Sequence, residues 1–118
     1  MTRFEGKVAI VTGGGGGSGG AVARRFVREG AAVVIADLPT APGEQIAGEL
    51  RSLGGRAIFQ PTDVTQSAQV QAVVQKAMDT HGRLDIVVNS HGWTRVEMTL
   101  RMSEEDFDRT IATHLKGT

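Results

Sequence analysis

The 118-residue chain contains no cysteine and no tyrosine. The first absence excludes a disulfide framework and any thiolate metal site, and it fits a cytoplasmic protein. The second removes the phenolic acid–base group, a gap that bears on chemistry below. An excess of charge of one sign is also lacking, with thirteen basic residues against thirteen acidic. Without a block of like charge, neither nucleic acid nor an anionic membrane is expected as a partner, and no metal site is expected. No apolar run approaches the roughly 18 residues of a membrane span. The N-terminal "MTRFEGKVAIVTGG" has an apolar stretch too short for a signal peptide. What remains is ordinary globular material, 40% hydrophobic and 22% charged, enough for one modest domain. No linker, repeat or compositional shift divides residues 1–118, which read as a single domain.

Short β-branched runs alternate with amphipathic ones. "KVAIVT" (Lys7 to Thr12) and "AVVIAD" (Ala32 to Asp37) read as buried strands, "RAIFQPTD" as a third closed by Pro61, and "LDIVVN" (Leu84 to Asn89) as a fourth. Between them, "AVARRFVREG" places Val22, Phe26 and Val27 at helical spacing, with Gly30 as the C-terminal cap. "GEQIAGELRSLGG" puts Ile46, Leu50 and Leu53 on one face. "TQSAQVQAVVQKAMDTHG" puts Val70, Val73, Val74, Ala77 and Met78 on one stripe, with Thr65 or Ser67 near its N-cap. After a loop, "SEEDFDRTIATHLKG" begins with a capping box of Ser103 and Asp106 and carries Phe107, Ile111 and Leu115 as its inner face. Strands alternating with helices predict an α/β fold: a three-layer, Rossmann-type, doubly wound parallel sheet that ends after four strands and four helices. In that order the fourth strand is an edge with an open apolar face, so the chain on its own is expected to be marginal or to belong to a larger assembly.

"GGGGGSGG" (Gly13 to Gly20) has the composition of a flexible tether but the position of a βα turn. A tether joins folded units, whereas this run joins one strand to its helix. Free backbone N–H groups and the positive end of a helix dipole there favour a phosphate, and missing Cβ atoms let a pyrophosphate approach. Thr12 followed by Gly13, Gly17 and Gly19 reads T-G-x-x-x-G-x-G, one residue wider than the usual dinucleotide fingerprint. Asp37 ends the second strand, 24 positions after Gly13. A carboxylate there accepts both hydroxyls of an adenosine ribose and repels a 2′-phosphate. None of Gly14, Gly15, Gly16 or Leu38 is basic, so NAD is expected over NADP; a solvated turn aspartate is the alternative for Asp37.

These features together resemble the short-chain dehydrogenase/reductase family: "TGGGGGSG" after the first strand, "AD" ending the second, "TDVT" ending the third, "VVNSHG" ending the fourth, and "FDRTIATHLKGT" as the helix that follows. The resemblance runs from about Phe4 to Thr118. It implies that Gly13, Gly17 and Gly19 form the pyrophosphate turn, with Ser18 where the family commonly covers the cofactor with a branched apolar residue. By the same resemblance Asp37, with Leu38 beside it, takes the ribose, Asp63 and Val64 take the adenine, and Asn89 and Gly92 border the cofactor. Alternatives stand for two of these: Asp63 as a helix-start aspartate and Asn89 as a strand-end turn former.

The chain departs from the family pattern in three places. Ser90 and His91 replace an asparagine and an alanine; His91 reads as an exposed loop histidine rather than a participant in chemistry. Gly20 carries the glycine run into the helix, a local cost of about 1 kcal/mol against alanine. His114 stands where the family has the asparagine that supports its catalytic water chain; imidazole can donate and accept there, or it is simply a polar surface residue. His114 and "TRVEMTLRMSEEDFD" are similar to relatives that act on acyl-CoA thioesters or steroids.

The family transfers hydride between nicotinamide and an alcohol or carbonyl using a serine, a tyrosine and a lysine four residues after it. With no tyrosine, this chain cannot supply that acid. The expectation is the NAD-binding half of such an oxidoreductase, as a fragment, a truncated gene product or an artificially shortened chain, inactive alone and homo-oligomeric when complete, with a small-molecule alcohol or carbonyl as substrate. A non-catalytic nucleotide-binding module, or a pseudoenzyme half that assembles with another chain, is the alternative.

Overall fold

A computed structural model describes residues 3–92, 98 and 101–118. Four strands, β1 (Val8–Thr12), β2 (Ala32–Asp37), β3 (Ala57–Pro61) and β4 (Ile86–Asn89), form one sheet in the order β3-β2-β1-β4. Every pairing is parallel, with Thr12 in register with Ala36 on one side and Asn89 on the other. The intervening helices are α1 (Gly17–Arg28), α2 (Gly43–Ser52) and α3 (Ser67–His81). This is the doubly wound arrangement that the alternating pattern predicts: parallel neighbours require crossovers, and right-handed crossovers put helices on both faces.

Alternation along the strands sorts the core into two layers. Val11, Val33 and Ile35 pack with Ala23 of α1 and Ile46, Ala47 and Leu50 of α2. Val8, Ile10, Ala32 and Val34 pack with Val73 and Ala77 of α3. Both faces are covered at β1 and β2, which explains their unbroken apolar runs. Gly30 has φ +95°, the left-handed conformation expected just past a helix C-terminus.

The structure corrects the helix readings at several points. Gln66, not Thr65 or Ser67, is the N-cap of α3 and makes no side-chain cap bond. Of the stripe on α3, Val73 and Ala77 are buried, while Val74 and Met78 stay about two-fifths exposed. Leu53 lies past the end of α2 and is 76% exposed. The last helix is two pieces: α4 (Glu104–Thr110), then a π-helical turn over Ile111–Lys116. Ser103 Oγ does accept the Asp106 N–H at 3.0 Å, as the capping motif predicts. Phe107, Ile111 and Leu115, however, are not an inner face: they are 55%, 41% and 73% exposed. The i, i+4 spacing correctly marks one face, but no described element packs on it. Much of the loop before α4, and residues 94–97, 99 and 100 of "TRVEMTLRMSEEDFD", lie outside the described residues.

Candidate functional site: a cleft at the carboxyl ends of the strands

The strands end on one side in a cleft of about 480 Å³. Its walls come from four strand ends and the last helix: Gly13 and Gly16 after β1, Asp37 and Leu38 after β2, Asp63 and Val64 after β3, His91 and Gly92 after β4, and Arg109 and Thr113 opposite. In an open α/β sheet this is where a ligand binds, because loops diverge to opposite faces there.

The glycine turn is compact for reasons visible atom by atom. Gly13 has φ +66°, and a Cβ on it would stand 2.5 Å from the Ser90 carbonyl oxygen. A Cβ on Gly19 would collide with the Gly13 carbonyl, so the first turn of α1 can close on the loop only without a side chain. The Gly13 N–H donates to Ala36 O at 2.8 Å and Gly16 N–H to Gly13 O at 3.1 Å. Gly14 and Gly15 are buried, whereas Gly16, Gly17 and Ser18 are exposed at the start of α1. A Cβ at Gly17 meets nothing within 4 Å. The run is therefore a backbone cradle whose open edge is a helix N-terminus, the arrangement that accommodates an anionic diphosphate.

Asp37 is part of this cradle. Its Oδ2 accepts the Gly15 N–H at 2.9 Å and its Oδ1 accepts the Leu38 N–H at 2.8 Å. The carboxylate is thus aimed by backbone donors before any ligand arrives. The space beside it is already full: a Cβ at Gly15 would be 2.9 Å from Asp37 Oδ2 and 3.0 Å from Gly43 N, and one at Gly14 would be 2.8 Å from Ile35 Cγ2. Asp63 lines the cleft too, with Oδ1 accepting both the Thr65 N–H at 3.0 Å and the Thr65 hydroxyl at 2.6 Å. That bonding makes Asp63 a turn former, whatever else it does.

Gly13, Asp37, Leu38, Asp63, Val64 and Gly92 therefore come together in one cleft, while Gly17, Ser18 and Gly19 form the first turn of α1 next to it and do not line it. Asn89 is exposed at the end of β4 and does not line the cleft. His114 is exposed as well, with its ring against the turn: a Cβ at Gly92 would stand 2.9 Å from His114 Cε1. Gly92 is needed for that approach, and its φ is not in the left-handed region. His91 is not an exposed loop histidine. It is half-buried, with Nδ1 2.8 Å from Thr12 Oγ1 and Nε2 2.9 Å from the Thr113 carbonyl oxygen. Arg109 and Thr113 were not foreseen as cleft residues; their i, i+4 spacing away from the apolar face was the signal available. Among the described residues no cluster suits a metal ion, and no helix is long and apolar enough to cross a membrane.

A parallel doubly wound sheet whose first βα turn is a glycine cradle, with an acidic residue closing the second strand, defines a dinucleotide-binding type of α/β fold. The comparisons narrow this. The profile of the short chain dehydrogenase family matches residues 7–118. The chain is 37% identical over 115 residues to the 3-oxoacyl-[acyl-carrier-protein] reductase FabG of Thermotoga maritima, covering 98% of this chain and 47% of the relative. It is 40% identical over 117 residues to the 3-hydroxyacyl-CoA dehydrogenase type-2 of Drosophila melanogaster, covering 94% and 45%. A short chain dehydrogenase from Mycobacterium avium superposes with a TM-score of 0.95 at 38% identity, over 99% of this chain and 44% of that one. The chain belongs to the short-chain dehydrogenase/reductase family, and it spans about half the length of the curated relatives it matches.

Proposed function

We propose that this chain is the part of an NAD-dependent short-chain oxidoreductase that holds the dinucleotide. The observation that carries the reading is the close unit of Gly13, Gly15, Gly19 and Asp37, in which Gly19 packs on the Gly13 carbonyl and the Gly15 N–H donates to Asp37 Oδ2: a Cβ-free phosphate cradle whose backbone aims a carboxylate at the ribose position. In this reading the turn from Gly13 through Gly17, Ser18 and Gly19 takes the diphosphate. Asp37 takes the ribose hydroxyls beside Leu38. Asp63 Oδ2 and Val64 face the adenine. Gly92 and the Asn89 end of β4 border the nicotinamide side.

NAD is preferred over NADP because a 2′-phosphate would meet the Asp37 carboxylate, and the buried sites of Gly14 and Gly15 leave no room for a compensating cation. When bound, the cofactor supplies hydride chemistry; the residues here bind and orient it. His114 would support a proton path from its place against Gly92. The substrate class that the two named relatives suggest is a 3-oxo or 3-hydroxy acyl thioester, with the proton donor to the substrate oxygen supplied from outside these 118 residues, which hold no tyrosine.

Calorimetric titration of the chain with NAD and with NADP tests the reading. NAD should bind more tightly, and Asp37→Asn should weaken NAD about tenfold while narrowing the gap to NADP. Tighter binding of NADP by the unaltered chain would refute it.

A further inference from the structure

The glycine turn and the ribose carboxylate leave His91, on the cleft wall, unexplained. His91 reaches two separate elements with its two ring nitrogens. Nδ1 meets Thr12 Oγ1 at 2.8 Å, on the last residue of β1 and directly before the phosphate turn. Nε2 meets the Thr113 carbonyl at 2.9 Å, in the π-helical turn across the cleft. A carbonyl oxygen only accepts, so Nε2 carries a proton. In the neutral ring Nδ1 is then an acceptor, and the Thr12 hydroxyl donates to it rather than to Val88 O at 3.2 Å. The same oxygen accepts the Ser90 N–H at 3.0 Å.

Neither α4 nor the π turn contains a buried residue. Apolar packing therefore does not fix the distance between this wall and the turn, and a directional hydrogen bond can. Gly92 and Gly117 permit the same close approach, since side chains on them would meet the His114 ring and Val64.

We propose that His91 is a positioning residue for dinucleotide binding. It straps the phosphate turn to the helical wall and sets the width of the slot that the adenosine diphosphate portion enters. The role rests on the dinucleotide reading of the cleft.

Three substitutions divide the strap into its links. In His91→Ala both are lost. In His91→Gln the side-chain amide N–H lies near the place of Nε2 and keeps the link to Thr113. In His91→Asn the amide oxygen lies near the place of Nδ1 and keeps only the link to Thr12. NAD affinity should fall about tenfold in the alanine variant, with melting temperature changed by no more than about 3 °C. Because the Ser90 N–H on Thr12 Oγ1 still ties the loop to β1 without the imidazole, the link to Thr113 is the one that fixes the wall: the glutamine variant should recover most of that loss, and the asparagine variant should stay near alanine. Wild-type affinity in the alanine variant, or equal weakening in all three, would overturn the proposal.

Nitrogen-15 spectra of the ligand-free chain test the strap by itself. The His91 ring should be protonated at Nε2, with an Nδ1 signal that moves in Thr12→Val. An Nδ1-protonated ring would overturn the strap alone. A folded wild-type chain that binds no dinucleotide would overturn the cleft reading, and the role with it.

Discussion

β1 and β2 have sheet neighbours on both sides and helices over both faces, and every residue from Val8 to Thr12 and from Ala32 to Ala36 is buried. β4 has one neighbour, and its residues alternate between half-buried and exposed, with Val87 51% exposed. Beyond it, α4 and the π turn bury nothing. β2 (AVVIAD) and β4 (IVVN) are both apolar up to a polar last residue, so the difference comes from position in the sheet and not from side-chain chemistry. It also divides the cleft. The phosphate turn and Asp37 stand on the buried half, while Arg109 and Thr113 stand on the open half.

The largest effect should come from breaking the buried half. Ile35→Ala removes a fully buried side chain between α1 and α2 and should cost about 2–5 kcal/mol in urea unfolding. Gly19→Ala places a methyl against the Gly13 carbonyl; it should cost about 1–3 kcal/mol and weaken NAD binding by more than about tenfold in titration calorimetry. Acid should act next, through groups that tie the ends of the sheet. Arg3 beside Glu29, and Arg83 with the Val8 N–H on Asp85, hold these two carboxyls below their ordinary values near 4.5 and 3.8. Burial, aided by Arg56, holds His81 below its ordinary 6.5, with its Nε2 buried and unpartnered. In all three cases the unfolded chain binds protons first as pH falls. Stability should therefore decline below about pH 6.5 through His81, and further below about 4.5 through Glu29 and Asp85. Urea midpoints measured from pH 7 to 4 check this, and Glu29→Gln should flatten the acid limb. The smallest effect belongs to the open half: Val87→Ala should change stability by less than about 0.5 kcal/mol. A loss as large as that of Ile35→Ala would mean that β4 is covered in solution.

The comparison also separates what was legible in the sequence from what was not. Strand order, helix placement, the turn from Gly13 to Gly19 and the place of Asp37 in the cleft follow from local patterns and from the rules of parallel crossovers. Periodicity shows which face of a helix is apolar, not whether anything covers it, and so Phe107, Ile111 and Leu115 read as an inner face yet stand exposed. The α helix also gives way to a π turn around His114, a change that the i, i+4 pattern does not signal. His91 was misread because its meaning lies in Thr12, 79 positions away, and in a backbone carbonyl that has no signature in sequence. Asp63 carries a turn with Thr65 as well as a place in the cleft, and no spacing rule could rank the two.

The central claim is that the buried half of the cleft holds a dinucleotide. Amide NMR of the folded chain titrated with NAD tests it residue by residue. The account predicts saturable shifts at Gly13, Gly15, Gly16, Gly17 and Leu38, with Val87 and Leu115 unmoved. Shifts confined to the far ends of α1 and α2, or no shifts at millimolar NAD, would contradict it.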